Sequence, residues 1–370
     1  MVSRRAVVRS GFAAAGALMA QRLFAQSIHG VQPPAGLIIR NARPLDAEAS
    51  MGALAEALTP TKYFFVRSHF GVPFSMPSEP MLTIDGEVQR SVRLSLAEIR
   101  AMERVERPVT LECAGNGRAL FALPSSSGVQ WEYGAVSTAT WTGVPLRALL
   151  ERAGLQDSAQ HLWMEALDKS PLPGVPVFQR SIPRSVALGD ALVAYEMNGA
   201  PIPALHGGPF RLVVPGWFGM ASTKWLTQIH ARTTESDNHF QVRGYRYGDG
   251  SAVTTMRTKS VITSPVRGEP LRAGSVLIEG KAWTSLESGG IRGVEVSVDG
   301  GATWRPAELT GDDIAGAWRG WRASVTLSSG QHMLMACATD KQGNVQPMRA
   351  APNGGGYGNN SIHQVRVNVA

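Results

Sequence analysis

At 370 residues, 44% of them hydrophobic, the chain holds enough apolar material for two ordinary domains and reads as a soluble globular protein. Its formal charge of +7, from 36 basic and 29 acidic residues, falls to +3 once Arg4, Arg5, Arg9 and Arg22 of a removable leader are set aside. Nothing in that balance argues for a nucleic-acid partner.

The first element is the leader itself. Ser3, Arg4, Arg5 and Arg9 precede an apolar run from Gly11 to Ala20 that ends near Ala25. The run is too short for a permanent membrane helix and looks like a twin-arginine export signal spanning residues 1–26, with an ordinary secretory signal or a retained anchor as the alternatives. The expectation is a periplasmic protein without stable membrane insertion after processing.

Residues 27–258 read as a mixed α/β (α+β) domain. Short apolar strands such as Met81–Ile84 and Arg211–Val214 alternate with helical stretches, the clearest being Ser95–Met102 and Pro145–Ala153, where Leu146, Leu149 and Leu150 recur at helical spacing. Within this domain, Thr110–Arg118 places Cys113 between an apolar strand and a tight Gly/Asn turn. A thiolate displayed there suits a soft metal such as molybdenum or copper, and the glycines let a bulky cofactor approach the backbone. A buried, inert cysteine fits the same residues.

From Lys259 to Leu271 the chain is punctuated by Ser264-Pro265 and Gly268-Glu269-Pro270, marking a boundary. Beyond it, in residues 259–370, helix signals fade. Val294, Val296 and Val298 alternate with polar residues before a predicted hairpin turn at Asp299-Gly300, and Trp304, Trp318, Trp321, Val365 and Val367 fit further strands. This texture predicts an all-β immunoglobulin-like sandwich. A disulfide between Cys113 and Cys337 is disfavoured, because Cys337 sits in a buried-strand pattern while Cys113 heads a turn. The segment Pro352–Gly358 is a loop by composition, free or in contact with a partner.

Cys113-Ala114-Gly115-Asn116-x-Arg118 resembles the molybdenum-ligand loop of the sulfite oxidase family, and further segments match in order. They are Phe65–His69, Trp131 with Gly134–Ala139, Tyr195–Gly199, and His206 to Trp225. The resemblance implies the sulfite oxidase fold, a molybdopterin molybdenum cofactor, and a C-terminal domain that mediates homodimerisation. It implies that Cys113 ligates the metal, that His69, His206, Arg211 and Lys224 bind the cofactor together with Arg67, and that Asp168 meets the pterin ring. Glycines at 207 and 208 would let backbone amides approach the cofactor's phosphate.

For a substrate oxyanion the same resemblance implies arginines, whose planar forks bind such groups bidentately. Arg67 and Arg118 match two of them, Trp131 matches the pocket tryptophan, and Arg319 in Trp318–Trp321 is the best match for a third arginine from the β domain. Phe178 stands where the family carries a tyrosine, removing a donor for which Gln179 and Arg180 are the candidate replacements; Gly117 and Ser125–Ser127 are further departures. The implied activity is oxidation of sulfite or a related sulfur oxyanion by oxygen-atom transfer. Electrons would go to a separate c-type cytochrome, since no Cys-x-x-Cys-His haem signature is present. The alternatives are a sulfane dehydrogenase-type subunit, a non-catalytic scaffold of a periplasmic sulfur-oxidising complex, and a molybdenum-dependent reductase.

Overall fold

Ser95 begins the first helix because its hydroxyl accepts from the Glu98 amide while the Glu98 carboxylate accepts from the Ser95 amide, a complete capping box for Leu96–Arg100. The second helix, Leu146–Ala153, starts after Pro145 and ends where Gly154 takes a left-handed φ of 72°. Its Leu146, Leu149, Leu150 and Ala153 are fully buried, each leucine contributing about 2 kcal/mol of transfer free energy. Both helices fall where the apolar spacing predicts them. The computed structural model describes residues 36–121, 128–170 and 172–370, so the proposed leader and Ser125–Ser127 lie outside the described residues.

Two five-stranded sheets build the first domain. One runs in the order Val92–Ser95, Met81–Gly86, Leu226–Arg232, His161–Ala166, Arg180–Pro183, with Met81–Gly86 and Leu226–Arg232 parallel. The other runs Ala200–Pro201, Leu192–Met197, Val136–Pro145, Val105–Glu112, and Arg211–Val213 also pairs with Leu192–Met197. Leu82, Ile84, Met164 and Ile229 of the first sheet meet Val144, Val193 and Leu212 of the second, with the second helix, in one core.

The remainder is the expected β-sandwich. A four-stranded sheet of Lys259–Ser264, Gly274–Trp283, Arg319–Leu327 and Glu308–Thr310 faces a five-stranded one of Pro270–Leu271, His363–Val369, Gly330–Asp340, Ile291–Ser297 and Arg305–Pro306. Ile278, Trp321, Val294, Val296, Leu334 and Val367 fill the space between them. Asp299-Gly300 does not form the tight hairpin read from the sequence. Glu295 pairs with Pro306 and Val296 with Arg305, leaving a longer loop whose Asp299 carboxylate accepts from Ser297, the Thr303 amide and the Thr303 hydroxyl. Those three donors hold the loop open where a two-residue turn would close it, and they hold the Asp299 carboxyl well below the usual range. Cys113 and Cys337 are both free thiols. The mixed domain and the sandwich belong to one compact body, and no described helix is long and apolar enough to cross a membrane.

Candidate active site

The strand Val105–Glu112 delivers Cys113 to the mouth of a turn in which Gly117 adopts a left-handed φ of 89°. The Cys113 amide donates to Ala135 O at 2.8 Å and its carbonyl accepts from the Asn116 amide at 2.9 Å. Gly115 leaves room for the Arg118 guanidinium, which folds back across the turn to within 2.6 Å of where a Cβ would stand, so a larger residue there would displace that side chain. Cys113 thereby opens into a cavity that it shares with Arg67, His69 and Tyr245.

Eight of the residues singled out from the sequence line that cavity. Arg67, His69, Cys113 and Phe178 are joined by Asp168, His206, Arg211 and Lys224. A bridge between Val66 and Ala47 fixes the segment carrying Arg67, whose guanidinium pairs with the buried Asp46 at 3.3 Å. Burial works against that charge, but Asp46, Tyr245 and Cys113 outweigh it and raise Arg67 further. Burial pushes the Cys113 thiol up, opposed by Arg67 and Arg118, the charges that would favour a thiolate.

At the other end of the cavity, positive charge is concentrated without an equal number of carboxylates. Arg211 is held by the carbonyls of His206 at 2.8 Å and Ser222 at 3.0 Å, and lies 4.9 Å above the Trp141 ring. Burial lowers it to about 9. Lys224 donates to Leu205 O at 3.2 Å; burial and then Arg211 push its ammonium down, with Asp168 opposing. Burial raises the Asp168 carboxyl in turn, with Lys224 opposing. His206 falls to about 3, chiefly through burial and then Lys224, and is neutral. Gly207, at φ +97°, packs so tightly on Lys224 that a Cβ would meet its side chain at 2.5 Å. Thr223 also lines the cavity, and its buried hydroxyl has no partner among the described residues.

Three predicted residues are not in this lining. Arg118 is buried behind the cysteine turn, donating to Val129 O at 2.8 Å and Gly355 O at 3.0 Å beneath the Tyr357 ring. Among the described residues no carboxylate pairs with it, and its charge still acts on Cys113. Trp131 is fully buried in the cluster that packs against Cys113, its indole N–H without a partner among the described residues. Arg319 is a correction: it pairs with Asp313 at 3.4 Å and borders a separate cleft with Thr284 and Gly290. Its strand, Arg319–Leu327, starts opposite Ala282, which directs that end of the strand to the Asp313 loop instead of the cysteine.

Sequence reasoning missed one pocket residue of consequence. Tyr245 is a bulky residue at a positive φ of 54°, its hydroxyl 3.3 Å from His69 Nε2, and burial keeps that hydroxyl protonated. Arg180 is buried over the Tyr245 ring at 5.3 Å and donates to Phe240 O; burial lowers it to about 10. No local motif surrounds Tyr245, so only its left-handed turn could have marked it. The Pro352–Gly358 loop is in contact within the chain, with Tyr357 stacked on Tyr245 at 5.3 Å and Gly358 donating to Ala114 O at 2.8 Å.

Residues 69–240 match the family described as the oxidoreductase molybdopterin binding domain, and residues 250–370 match the Mo-co oxidoreductase dimerisation domain. Sulfite oxidase of Gallus gallus is 37% identical over 343 residues, covering 86% of this chain and 74% of that protein. Mitochondrial sulfite oxidase of Homo sapiens is 37% identical over 368 residues, covering 92% and 67%. The crystal structure of the sulfane dehydrogenase SoxCD from Paracoccus pantotrophus superposes with a TM-score of 0.78 at 29% identity, covering 89% of this chain and 88% of that one.

The cavity fits the molybdopterin cofactor of these proteins on its own terms. A single thiol faces a cluster of the half-buried Arg67 and Lys224 and the buried Arg211 in which the acids Asp46 and Asp168 are fewer than the bases, and the Thr223 hydroxyl, without a partner among the described residues, points to a polar ligand. The chain belongs to the sulfite oxidase family of molybdenum-cofactor oxidoreductases.

Proposed function

We propose that this enzyme oxidises sulfite, or a closely related sulfur oxyanion, as a periplasmic dehydrogenase. The observation that carries the reading is the placement of Arg67 in the cavity and Arg118 just behind it, both acting on Cys113. Sulfite and water give sulfate, two protons and two electrons. When bound, the molybdenum cofactor supplies two-electron redox chemistry and oxygen exchange with water. Cys113 would hold the metal, and Arg211, Lys224 and the neutral His206 would hold the anionic end of the pterin, with Asp168 and His69 along its length. Arg67, with Arg118 reinforcing the field, would attract and orient the oxyanion. Arg67 is already offset by Asp46, which leaves the pocket positive enough to draw in a dianion without binding sulfate irreversibly.

Residues 1–26 would act as a twin-arginine signal that exports the folded protein, and a c-type cytochrome would take the electrons singly. The dimerisation domain favours a homodimer or a hetero-complex with that cytochrome. A second reading, a sulfane dehydrogenase-type subunit, is favoured by the mutual coverage of nearly nine-tenths with SoxCD and by Phe178 in the pocket. The test is sulfite-dependent reduction of cytochrome c by exported, molybdenum-loaded protein and by Cys113→Ser. Turnover that disappears with Cys113 supports the dehydrogenase; molybdenum without sulfite turnover rejects sulfite and directs the search to protein-bound sulfane sulfur.

A further inference from the structure

Glu112 precedes Cys113 directly, and its carboxylate is buried at 2% exposure, yet it faces away from the cavity chemistry. Its oxygens accept from three side chains: Asn116 Nδ2 at 2.9 Å, Lys259 Nζ at 3.1 Å and Trp283 Nε1 at 2.9 Å. Asn116 belongs to the cysteine turn, whereas Lys259 and Trp283 belong to the sandwich, where they are paired opposite one another on adjacent strands. Lys259 also donates to Asn116 O at 3.4 Å, and Asn116 Oδ1 accepts from the Ala135 amide at 3.2 Å. Asn116 further donates its own amide to Cys113 O. The turn presenting the sulfur is thus closed from behind by an ion pair that originates in the other domain.

A buried ion pair adds little net stability over a packed apolar pair, because desolvating both charges offsets their attraction. What it supplies is direction: each donor and acceptor has one satisfied geometry, and losing a single partner leaves a charge stranded. A turn with glycines at 115 and 117 has little stiffness of its own.

We propose that Glu112, Asn116, Lys259 and Trp283 form an interdomain brace that sets the direction in which Cys113 presents its sulfur, making the sandwich a positioning element of the metal site in addition to its part in dimerisation. None of the four touches the reacting atoms, so they are positioning residues. The proposal rests on the reading of Cys113 as the metal thiolate.

The experiment uses the full-length, cofactor-loaded protein in four forms: wild type, Glu112→Gln, the double variant Glu112→Gln/Lys259→Met, and Cys113→Ser. Three quantities are read: thermal midpoint, the sulfur-to-molybdenum charge-transfer absorption of the oxidised protein, and kcat and KM with ferricyanide as acceptor. Glu112→Gln strands the Lys259 charge and is expected to lower the midpoint as well as shift the band. The double variant carries no stranded charge, so its midpoint returns to near that of wild type while the band stays shifted and kcat stays down about tenfold with KM little changed. A double variant that regains the wild-type band and kcat together with its midpoint overturns the brace and leaves a merely structural pair. Should Glu112→Gln fail to accumulate, the double variant alone decides. The cofactor's own dithiolene sulfurs also absorb, so the comparison is with wild type: a charge-transfer spectrum unchanged in Cys113→Ser removes the thiolate reading and the brace with it, an outcome distinct from failure of the brace alone.

Discussion

The imidazole of His69 lies flat on the ring of Phe178, with centroids 4.5 Å apart and planes 20° from parallel. Phe240 meets the histidine edge-on at 4.7 Å and lies 5.2 Å from Phe178, so the three rings form one cluster that leaves the His69 Nε2 turned to Tyr245. Burial, reinforced by Arg67 and Lys224, keeps His69 neutral. Phe178 therefore orients His69 by its face, and a hydroxyl on that ring is not needed for the stack.

That arrangement makes Phe178→Tyr an informative change. The stack should survive, with the thermal midpoint within a degree or two of wild type. The added hydroxyl supplies one donor at the pocket, worth about 1 kcal/mol, so KM for an oxyanion should fall by roughly fivefold with a smaller change in kcat. Steady-state kinetics against sulfite check this; an unchanged KM would show that position 178 does not face the substrate.

Lys224 is expected to matter for the cofactor more than for the fold. Its ammonium is destabilised by burial and by Arg211, and a bound phosphate would relieve both. Lys224→Met should lower cofactor affinity by about 30- to 150-fold, from the loss of one charge-assisted contact of about 2–3 kcal/mol, while the cofactor-free protein keeps its midpoint within a few degrees. Molybdenum content after dialysis, set beside thermal unfolding of the cofactor-free form, separates the two effects.

Acid should destabilise the protein partly through His363, whose Nδ1 accepts from the Ile262 amide at 2.9 Å in the sandwich. Burial, then Lys259, lowers it from 6.5 to about 3. The folded value lies below the unfolded one, so the unfolded chain binds the proton first. The stability contributed by the neutral ring is complete above about pH 6.5 and is lost as pH falls towards 3, by up to about 1.4 kcal/mol per pH unit. His363→Asn keeps an acceptor without a titrating group, and denaturant unfolding should show the wild-type loss shrinking by that slope in this window only.

Arg118 and Arg319 should behave oppositely. Arg118→Ala removes two hydrogen bonds to carbonyls and the contact under Tyr357, costing about 3 kcal/mol of stability, and also removes a charge that acts on Cys113. Its kcat/KM should fall about a hundredfold. Arg319→Ala breaks only the partly exposed pair with Asp313, worth at most about 1 kcal/mol, and should leave kcat/KM within about twofold. Parallel kinetics and unfolding of the two variants check the assignment; a large activity loss in Arg319→Ala would restore it to the pocket.

The readable parts of this chain were those whose signal is local. Periodic leucines mark the second helix, alternating valines mark the sandwich strands, and the Cys113 turn together with the ordered segments around Arg67, His206 and Lys224 marks residues that line the cavity. Tyr245 was not readable, because its place beside His69 comes from a loop that carries no motif of its own. Arg319 was misplaced for a related reason: neighbouring tryptophans gave the segment a match, while the pairing of its strand with Ala282 decides which cavity its side chain reaches.

By itself, then, the sequence determined the elements, the two-part organisation and the chemical character of the site, since backbone propensity, apolar period and residue type are properties of short stretches. Only the tertiary structure decided that Arg67 shares its charge with Asp46, that Arg118 stands behind the cysteine turn beneath Tyr357, and that Glu112 is tied to Lys259 of the sandwich. Those are distances between residues far apart in the chain, fixed by how the sheets pack and pair, and no short stretch of sequence carries them.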